Sequence, residues 1–168
     1  MPLFSDDLTR AATALLQTAR QAALRIITAE SCTGGLVAAV LTEVAGSSDV
    51  FERGYVTYSN AAKAEALGVE PALIAAHGAV SEEVARAMAA GALTASEAEL
   101  SVAVTGVAGP GGGSVEKPVG LVWFATALKG GEVLAHQERF GDLGRSAVRL
   151  AAVRTALGLL SARLRPAD

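Results

Sequence analysis

A short apolar segment that runs through a glycine turn into a helical pattern sets the fold class of this chain. Residues 24–29 are apolar except for Arg25 and Thr28, and residues 33–44 have the apolar spacing of a helix. Between these segments lie a carboxylate, two hydroxyls, a thiol and two glycines, in the order Glu30-Ser31-Cys32-Thr33-Gly34-Gly35. A strand that turns directly into a helix is typical of an α/β domain, and its turn exposes side chains and amide groups at the sheet edge.

The rest of the chain alternates helix and strand patterns. Asp6 or Asp7 is expected to cap the first helix and Asn60 a later one. Gly130-Gly131 is a hairpin signal, so the sheet is expected to be mixed. The pattern predicts one domain over residues 1–168, a three-layer α/β/α sandwich with a mixed sheet. Helices are predicted over residues 6–21 and 61–67, from a cap at Ser81 through about Ser96, and from residue 144 onward. Residues 71–77 are expected to form a turn or a short helix. Further strands are predicted over 50–58, 100–104, 120–128 and 133–140.

Composition narrows the possible partners and the compartment. The formal net charge is −3, which gives no electrostatic basis for binding nucleic acid directly. The single cysteine, Cys32, excludes a disulfide within the chain. Residues 1–7 carry acidic groups where a signal peptide would carry basic ones, and no apolar run approaches the ~18 residues of a membrane helix. These features predict a cytoplasmic protein that does not associate with membranes.

Three polar or glycine-rich segments each follow a predicted strand. They are residues 30–35, 58–63 and 105–117. Loops that leave strand ends hold the sites of α/β domains. If the three strands are neighbours with these ends on one side, the segments share a single cleft, which is then the predicted site.

The first segment offers two candidate nucleophiles. Ser31 at a strand-to-helix turn can attack an electrophile while the amides of Thr33, Gly34 and Gly35 hold an oxyanion or a phosphate. The alternative is that Ser31 and Thr33 only cap the helix. Cys32 is the stronger intrinsic nucleophile, and a helix N-terminus lowers a thiol pKa, but a lone small thiol is also a common core residue.

The second segment places Lys63 among alanines, one turn into a short predicted helix. A lysine that is desolvated in a cleft loses its proton more readily and can then serve as a base toward a serine hydroxyl. Tyr58 can relay a proton or orient the lysine. The alternative is a lysine on an exposed helix surface.

The third segment has five glycines, but no P-loop and no dinucleotide fingerprint. It is interpreted as an anion-binding nest, a mobile lid or a plain surface loop. The two histidines lack partners at ligand spacing, so the sequence predicts no metal site and no cofactor. A Ser-His-Asp triad through His77 stays open. Arg145, in the first turn of the last helix, is placed to reach a ligand phosphate, whereas that helix's other arginines are expected on a solvated face.

Several ordered blocks together resemble the CinA family, in particular its C-terminal domain. They are Ala29 to Gly35, Tyr58-Ser59-Asn60 with Lys63, Leu67-Gly68-Val69, His77 to Ser81, Thr105-Gly106 to Gly109-Pro110, and Glu116 to Gly120. The resemblance covers nearly the whole chain. It implies a three-layer α/β/α domain that hydrolyses the carboxamide of nicotinamide mononucleotide to nicotinate mononucleotide and ammonia, in pyridine nucleotide recycling.

The same resemblance assigns roles to individual residues. Ser31 matches the family's proposed nucleophile, and Lys63 and Tyr58 match its activating groups. Thr105 and Gly106 match residues that line the site, and Arg145 is the best match for an arginine near the start of the last helix. The substrate-binding set of this hypothesis is Glu30, Thr33, Gly34, Gly35, Thr105, Gly106 and Arg145.

Some alternatives remain open from the sequence. A non-catalytic nucleotide-binding or regulatory module, linked to competence or DNA damage, is the second functional hypothesis, and hydrolysis by Cys32 is the third. The carboxylate of Glu30 can orient either Lys63 or the substrate ribose. The apolar stripe of the last helix, which includes Leu150, is compatible with a homodimer and with packing on its own sheet.

Overall fold

A five-stranded mixed sheet lies between two layers of helices in the computed structural model, which describes residues 1–166. The three-layer α/β prediction is therefore confirmed. The strands are β1 (Ile26–Glu30), β2 (Phe51–Val56), β3 (Leu100–Gly106), β4 (Leu121–Leu128) and β5 (Val133–Arg139). The helices are α1 (Asp6–Gln21), α2 (Leu36–Thr42), α3 (Asn60–Leu67), α4 (Pro71–His77), α5 (Glu82–Thr94) and α6 (Arg145–Leu164).

The order of the strands brings the three polar segments together. The sheet runs β2-β1-β3-β4-β5, with β1 parallel to both β2 and β3 and the last two strands antiparallel. At the end of β1, Glu30 lies beside Val56 of β2 and Val104 of β3. The carboxyl ends of three adjacent strands therefore share one edge, which is the condition under which the three segments were expected to form one cleft.

The two faces of the sheet carry different side chains. The face covered by α1, α2 and α6 presents larger groups such as Ile26 and Val102, whereas the α5 face is rich in alanine. Small residues allow α5 to pack close to the sheet on this second face. A Cβ on Gly91 of α5 would lie 1.9 Å from the carbonyl oxygen of Leu67, so only glycine fits where α5 crosses the end of α3.

Helix α6 buries most of its apolar stripe within this domain, on α1, β3 and β4. Leu150, at the edge of the stripe, stays exposed, while Val148 is buried. The packing accounts for the stripe without a second copy of the chain. No helix within residues 1–166 is long and apolar enough to cross a membrane.

The N-caps of two helices and the start of a third differ from the sequence predictions. Ser5, not Asp6 or Asp7, is the N-cap residue of α1, and the hydroxyl of Ser59, not Asn60, accepts the Ala62 amide of α3. Helix α2 begins at residue 36 rather than residue 33. Its predicted first turn is an irregular loop, because the two glycines that precede it have φ of +58° and +98°.

Candidate active site

A cleft of about 290 Å³ opens at the carboxyl edge of β1, β2 and β3. All three predicted segments contribute to its wall, together with the loop between α4 and α5 and the start of α6. Its lining includes seven of the residues predicted from the sequence, namely Ser31, Cys32, Tyr58, Lys63, Thr105, Gly106 and Arg145.

The cleft brings Ser31 and Lys63 into direct contact. The Nζ atom of Lys63 lies 2.9 Å from Oγ of Ser31, although Lys63 lies in α3 and Ser31 in the turn between β1 and α2. Nζ also donates to the carbonyl oxygens of Thr57, at 2.7 Å, and Tyr58, at 3.4 Å. Ser59 caps α3 and so fixes the helix turn from which Lys63 reaches back to the sheet edge.

Burial sets the electrostatics of this lysine. Its side chain is 1% exposed, and no carboxylate of residues 1–166 lies within 4.0 Å of its ammonium group. An ammonium group that is removed from water without a counter-ion is costly, so burial lowers the pKa of Lys63. The surface-lysine alternative is therefore wrong, and burial makes Lys63 lose its proton more readily than a lysine in water.

Tyr58 meets Arg145 instead of the lysine side chain. Its phenol oxygen accepts from Nη2 of Arg145 at 2.8 Å, and Nη1 of the same guanidinium donates to the Gly109 carbonyl at 2.8 Å. The contact of Tyr58 with Lys63 is through the backbone carbonyl alone. Arg145 thus joins the second and third segments across the wall of the cleft.

Four of the predicted substrate-binding residues lie behind Ser31 and are absent from the cleft lining. The buried carboxylate of Glu30 accepts the amides of Val37 at 2.9 Å and Ala38 at 3.0 Å, so it anchors the start of α2. The other three are Thr33, Gly34 and Gly35, and the Gly34 amide already donates to the carbonyl of Ser31. Their contact with substrate stays a prediction, whereas their structural contacts explain the shape of the turn.

Thr105 and Gly106 do lie on the cleft wall. The Thr105 hydroxyl donates to the Ala79 carbonyl at 2.8 Å, which ties β3 to the loop before α5. A Cβ on Gly106 would lie 2.7 Å from a methyl group of Val122 on β4. Glycine at position 106 therefore keeps backbone, rather than a side chain, on this part of the wall.

Cys32 borders the cleft but is chemically unsuited to attack. The residue is 5% exposed, and burial raises the pKa of its thiol to about 12. Roughly one thiol in 10⁵ is then ionised at neutral pH, and only the thiolate is an effective nucleophile. The geometry favours the packing interpretation of Cys32.

We expect Cys32→Ala to keep turnover within about threefold of wild type, because the change removes a buried thiol that takes no part in the serine–lysine contact. The measurement is the rate of ammonia release from saturating nicotinamide mononucleotide, the substrate that the resemblance to the CinA family implies. A loss of about 100-fold or more in this variant would return Cys32 to the position of nucleophile.

Histidine does not occupy the place beside Ser31. The Nδ1 atom of His77 lies 3.4 Å from Oε1 of Glu83, and His77 is absent from the cleft lining. Lys63 fills the position that the histidine of a Ser-His-Asp triad would take. Within the described part of the chain, no three of His, Cys, Asp and Glu are grouped as a metal site would need.

Arg149 holds the turn behind the cleft, although the sequence prediction placed it on a solvated face. Its Nε donates to the carbonyl of Cys32 and its Nη2 to the carbonyl of Thr33, both at 3.1 Å. The prediction for this arginine is therefore wrong. The available signal was its spacing, because Arg149 follows Arg145 by four residues and so lies on the same side of α6.

The fold and the cleft define an α/β domain with a buried lysine hydrogen-bonded to a serine at the carboxyl edge of parallel strands. The sequence model of the protein family described as CinA C-terminal domain matches residues 8–164 of this chain. The chain belongs to this family.

Individual relatives agree over most of the chain. Nicotinamide-nucleotide amidohydrolase PncC of Escherichia coli (strain K12) is 57% identical over 136 residues, which are 80% of this chain and 81% of that protein. A CinA-like protein of Geobacter sp. (strain M21) is 50% identical over 96% of this chain, but the match spans 39% of that longer protein. The crystal structure of competence/damage inducible protein CihA from Agrobacterium tumefaciens superposes with a TM-score of 0.96 at 53% identity, covering 98% of this chain and 100% of that one.

Proposed function

We propose that this protein hydrolyses the carboxamide of nicotinamide mononucleotide, giving nicotinate mononucleotide and ammonia. The observation that carries the proposal is the 2.9 Å contact between buried Lys63 and Ser31 inside the cleft. An amide is a poor electrophile, and a serine needs a base within hydrogen-bond reach to attack it. The name of the 57% identical E. coli relative supplies the substrate class.

The first step is the attack of Ser31. Nζ of Lys63 lies 2.9 Å from Oγ of Ser31 and donates to the carbonyls of Thr57 and Tyr58. In the proposed step the neutral amine takes the proton of the Ser31 hydroxyl. Oγ bonds to the carboxamide carbon while Nζ becomes an ammonium group. The two carbonyls stabilise that ammonium as it forms, so the base is oriented before the reaction begins.

The developing oxyanion needs amide donors on the cleft wall. The Gly34 amide is committed to the Ser31 carbonyl, and neither Gly34 nor Gly35 lines the cleft. The Val107 amide donates to the Leu121 carbonyl, so the better candidates are the amides of Ala108, Gly109, Gly111 and Gly112, which line the cleft. One such donor is worth roughly 3 kcal/mol in other enzymes of this type.

The second half of the reaction releases the two products. The Lys63 ammonium returns its proton to the amide nitrogen, the carbon–nitrogen bond breaks, and ammonia leaves an ester on Ser31. Water then attacks this ester with Lys63 again as the base, which frees the carboxylate and restores the Ser31 hydroxyl. Tyr58 supports both halves by holding Lys63 through its carbonyl and Arg145 through its phenol.

Arg145 is the proposed ligand of the substrate phosphate. Two of its N–H groups donate to Gly109 and Tyr58, which fixes the guanidinium on the cleft wall. Its further donors, which bond to no group of residues 1–166, can meet an anion.

We expect Arg145→Ala to raise KM for nicotinamide mononucleotide by about 10- to 100-fold, the range of a hydrogen bond to a charged group. Steady-state kinetics with nicotinamide riboside, which lacks the phosphate, provides the matched control. The variant and wild type should handle the riboside alike. An equal loss with both substrates would assign Arg145 to the architecture of the site instead of the phosphate.

Incubation of the purified protein with nicotinamide mononucleotide tests the proposed function itself. The expected products are ammonia and nicotinate mononucleotide in equal amounts. Saturable binding of the nucleotide with no release of ammonia would favour the alternative, a non-catalytic nucleotide-binding module.

A further inference from the structure

Arg149 holds the backbone immediately after the proposed nucleophile. Its guanidinium spans two successive carbonyls, those of Cys32 and Thr33, each at 3.1 Å. Both contacts are to backbone, so they fix the turn itself. A Cβ on Gly34 would lie 3.2 Å from Nη2 of Arg149, so a side chain there would crowd the guanidinium.

The other end of the same turn is held by a group of opposite charge. The buried Glu30 carboxylate accepts the amides of Val37 and Ala38 at the start of α2. The Ser31 amide donates to the Val104 carbonyl of β3 at 2.9 Å. Residues 31–35 are thus fixed from α6, from β1 and from β3.

We propose that Arg149 is a positioning residue, whose fork holds the 31–35 turn so that Ser31 stays within hydrogen-bond reach of Lys63. The inference rests on the proposed role of Ser31 as nucleophile. A displacement of about 1 Å between reacting groups can cost about 100-fold in rate. Arg149 is not among the residues that line the cleft, so its loss should affect turnover rather than substrate binding.

Three variants separate positioning from charge and from general stability. Arg149→Met removes the fork, and Arg149→Lys keeps the positive charge but cannot bridge two carbonyls in the same way. Arg154→Met, on the same helix, removes an exposed ion pair with Asp7 and serves as the control. For Arg149→Met we expect kcat for nicotinamide mononucleotide to fall by about 10- to 100-fold with KM within about threefold, and Arg149→Lys to recover little of the loss.

Two results would overturn the inference. Unchanged kcat in Arg149→Met would show that the turn holds without the fork. Full activity in Arg149→Lys would show that only the charge is needed. Arg154→Met should retain wild-type kcat. If kcat of Arg154→Met fell as far as that of Arg149→Met, general destabilisation of α6 would explain both losses.

A substrate-independent readout distinguishes this inference from the proposed function. Phenylmethylsulfonyl fluoride should label Ser31 more slowly in Arg149→Met than in wild type, by about the same factor as kcat falls. If wild type releases no ammonia but is labelled, the proposed substrate is wrong, and equal labelling rates would still overturn the role of Arg149.

If wild type is not labelled at all, amide hydrogen exchange tests whether Arg149 orders the turn. The amides of Gly34 and Leu36 donate to the carbonyls of Ser31 and Thr33, at 3.0 and 3.1 Å, and so report the order of the turn. Faster exchange at both in Arg149→Met, but not in Arg154→Met, supports the inference. Equal exchange rates in all three proteins overturn it.

Discussion

Ser31→Ala is expected to abolish ammonia release from nicotinamide mononucleotide, with kcat falling by at least about 10³-fold, as when the nucleophile of other serine hydrolases is removed. The substitution deletes the only oxygen that Lys63 contacts on the β1–α2 turn. The effect should lie in kcat, because the remaining cleft wall can still bind the substrate.

The fold should tolerate this change. Ser31 makes its backbone contact with Val104 through the amide, which alanine retains. Ser101→Ala is the matched control, because that buried serine hydroxyl donates to the Ala89 carbonyl at 2.7 Å, away from the cleft lining. We expect this control to lose about 1 kcal/mol of stability and to keep its activity.

Mass spectrometry adds a direct check of the ester intermediate. Rapid quenching of wild type with substrate should reveal a nicotinate mononucleotide adduct on the peptide that contains Ser31, whereas Ser31→Ala should show none. Retained turnover in Ser31→Ala would contradict the nucleophile assignment outright, since no other hydroxyl of residues 1–166 contacts the lysine amine.

The sequence predicted the strand-to-helix turn at the sheet edge because the signals for such a turn are local. An apolar strand followed by a glycine turn, as at residues 24–35, has few alternatives to a βα unit. Periodicity gave the bounds of α1 as the structure has them. The start of α2 could not be obtained in this way, because the φ angles of Gly34 and Gly35 depend on how the turn is fixed by distant groups.

Contacts between side chains and groups that are distant in the sequence were harder to predict. Glu30 offered two interpretations, toward Lys63 or toward ribose, and the structure places its carboxylate on the amides of Val37 and Ala38 instead. Arg149 contacts carbonyls more than 110 residues away in sequence. Such pairings arise from tertiary packing, and a single sequence carries no record of them beyond the helical spacing with Arg145.

Lys63 is the residue whose role is most sensitive to what surrounds it. The same short helix with a solvated lysine would have no base, because an exposed lysine is protonated at neutral pH. Here α3 carries the side chain back to the sheet edge, where it is 1% exposed and its pKa is lowered. The proposed role of Lys63 as a base and a cost in stability therefore have one cause, the burial of an amine.

Lys63→Met is accordingly expected to lose activity while changing how stability depends on pH. Removal of a general base costs about 10²- to 10⁴-fold in kcat. In wild type the unfolded chain holds the Lys63 proton up to its ordinary pKa of 10.5, but the folded chain releases it at lower pH. The free energy of unfolding attributable to Lys63 thus rises with pH between the lowered pKa and 10.5 and is constant below that window.

Methionine removes this dependence, so the stability of Lys63→Met relative to wild type should be greatest below the lowered pKa and should decline as pH rises toward 10.5. Each unit by which the pKa is lowered contributes about 1.4 kcal/mol to that decline. Lost donors to the Thr57 and Tyr58 carbonyls reduce the stability of the variant at every pH alike, so they leave the slope intact. Denaturant unfolding of both proteins at several pH values measures how the stability difference changes with pH.

Lys63→Arg is the control that separates charge from base strength. Arginine keeps a cation at every accessible pH, so this variant should be inactive and should show no rise in stability across the same window. Wild-type kcat, in contrast, should increase with pH through the lowered pKa of Lys63 and then level off, because the neutral amine is the active form. A pH-independent stability difference between Lys63→Met and wild type would mean that Lys63 is charged in the folded protein, and an amine that is already protonated cannot take the proton of Ser31.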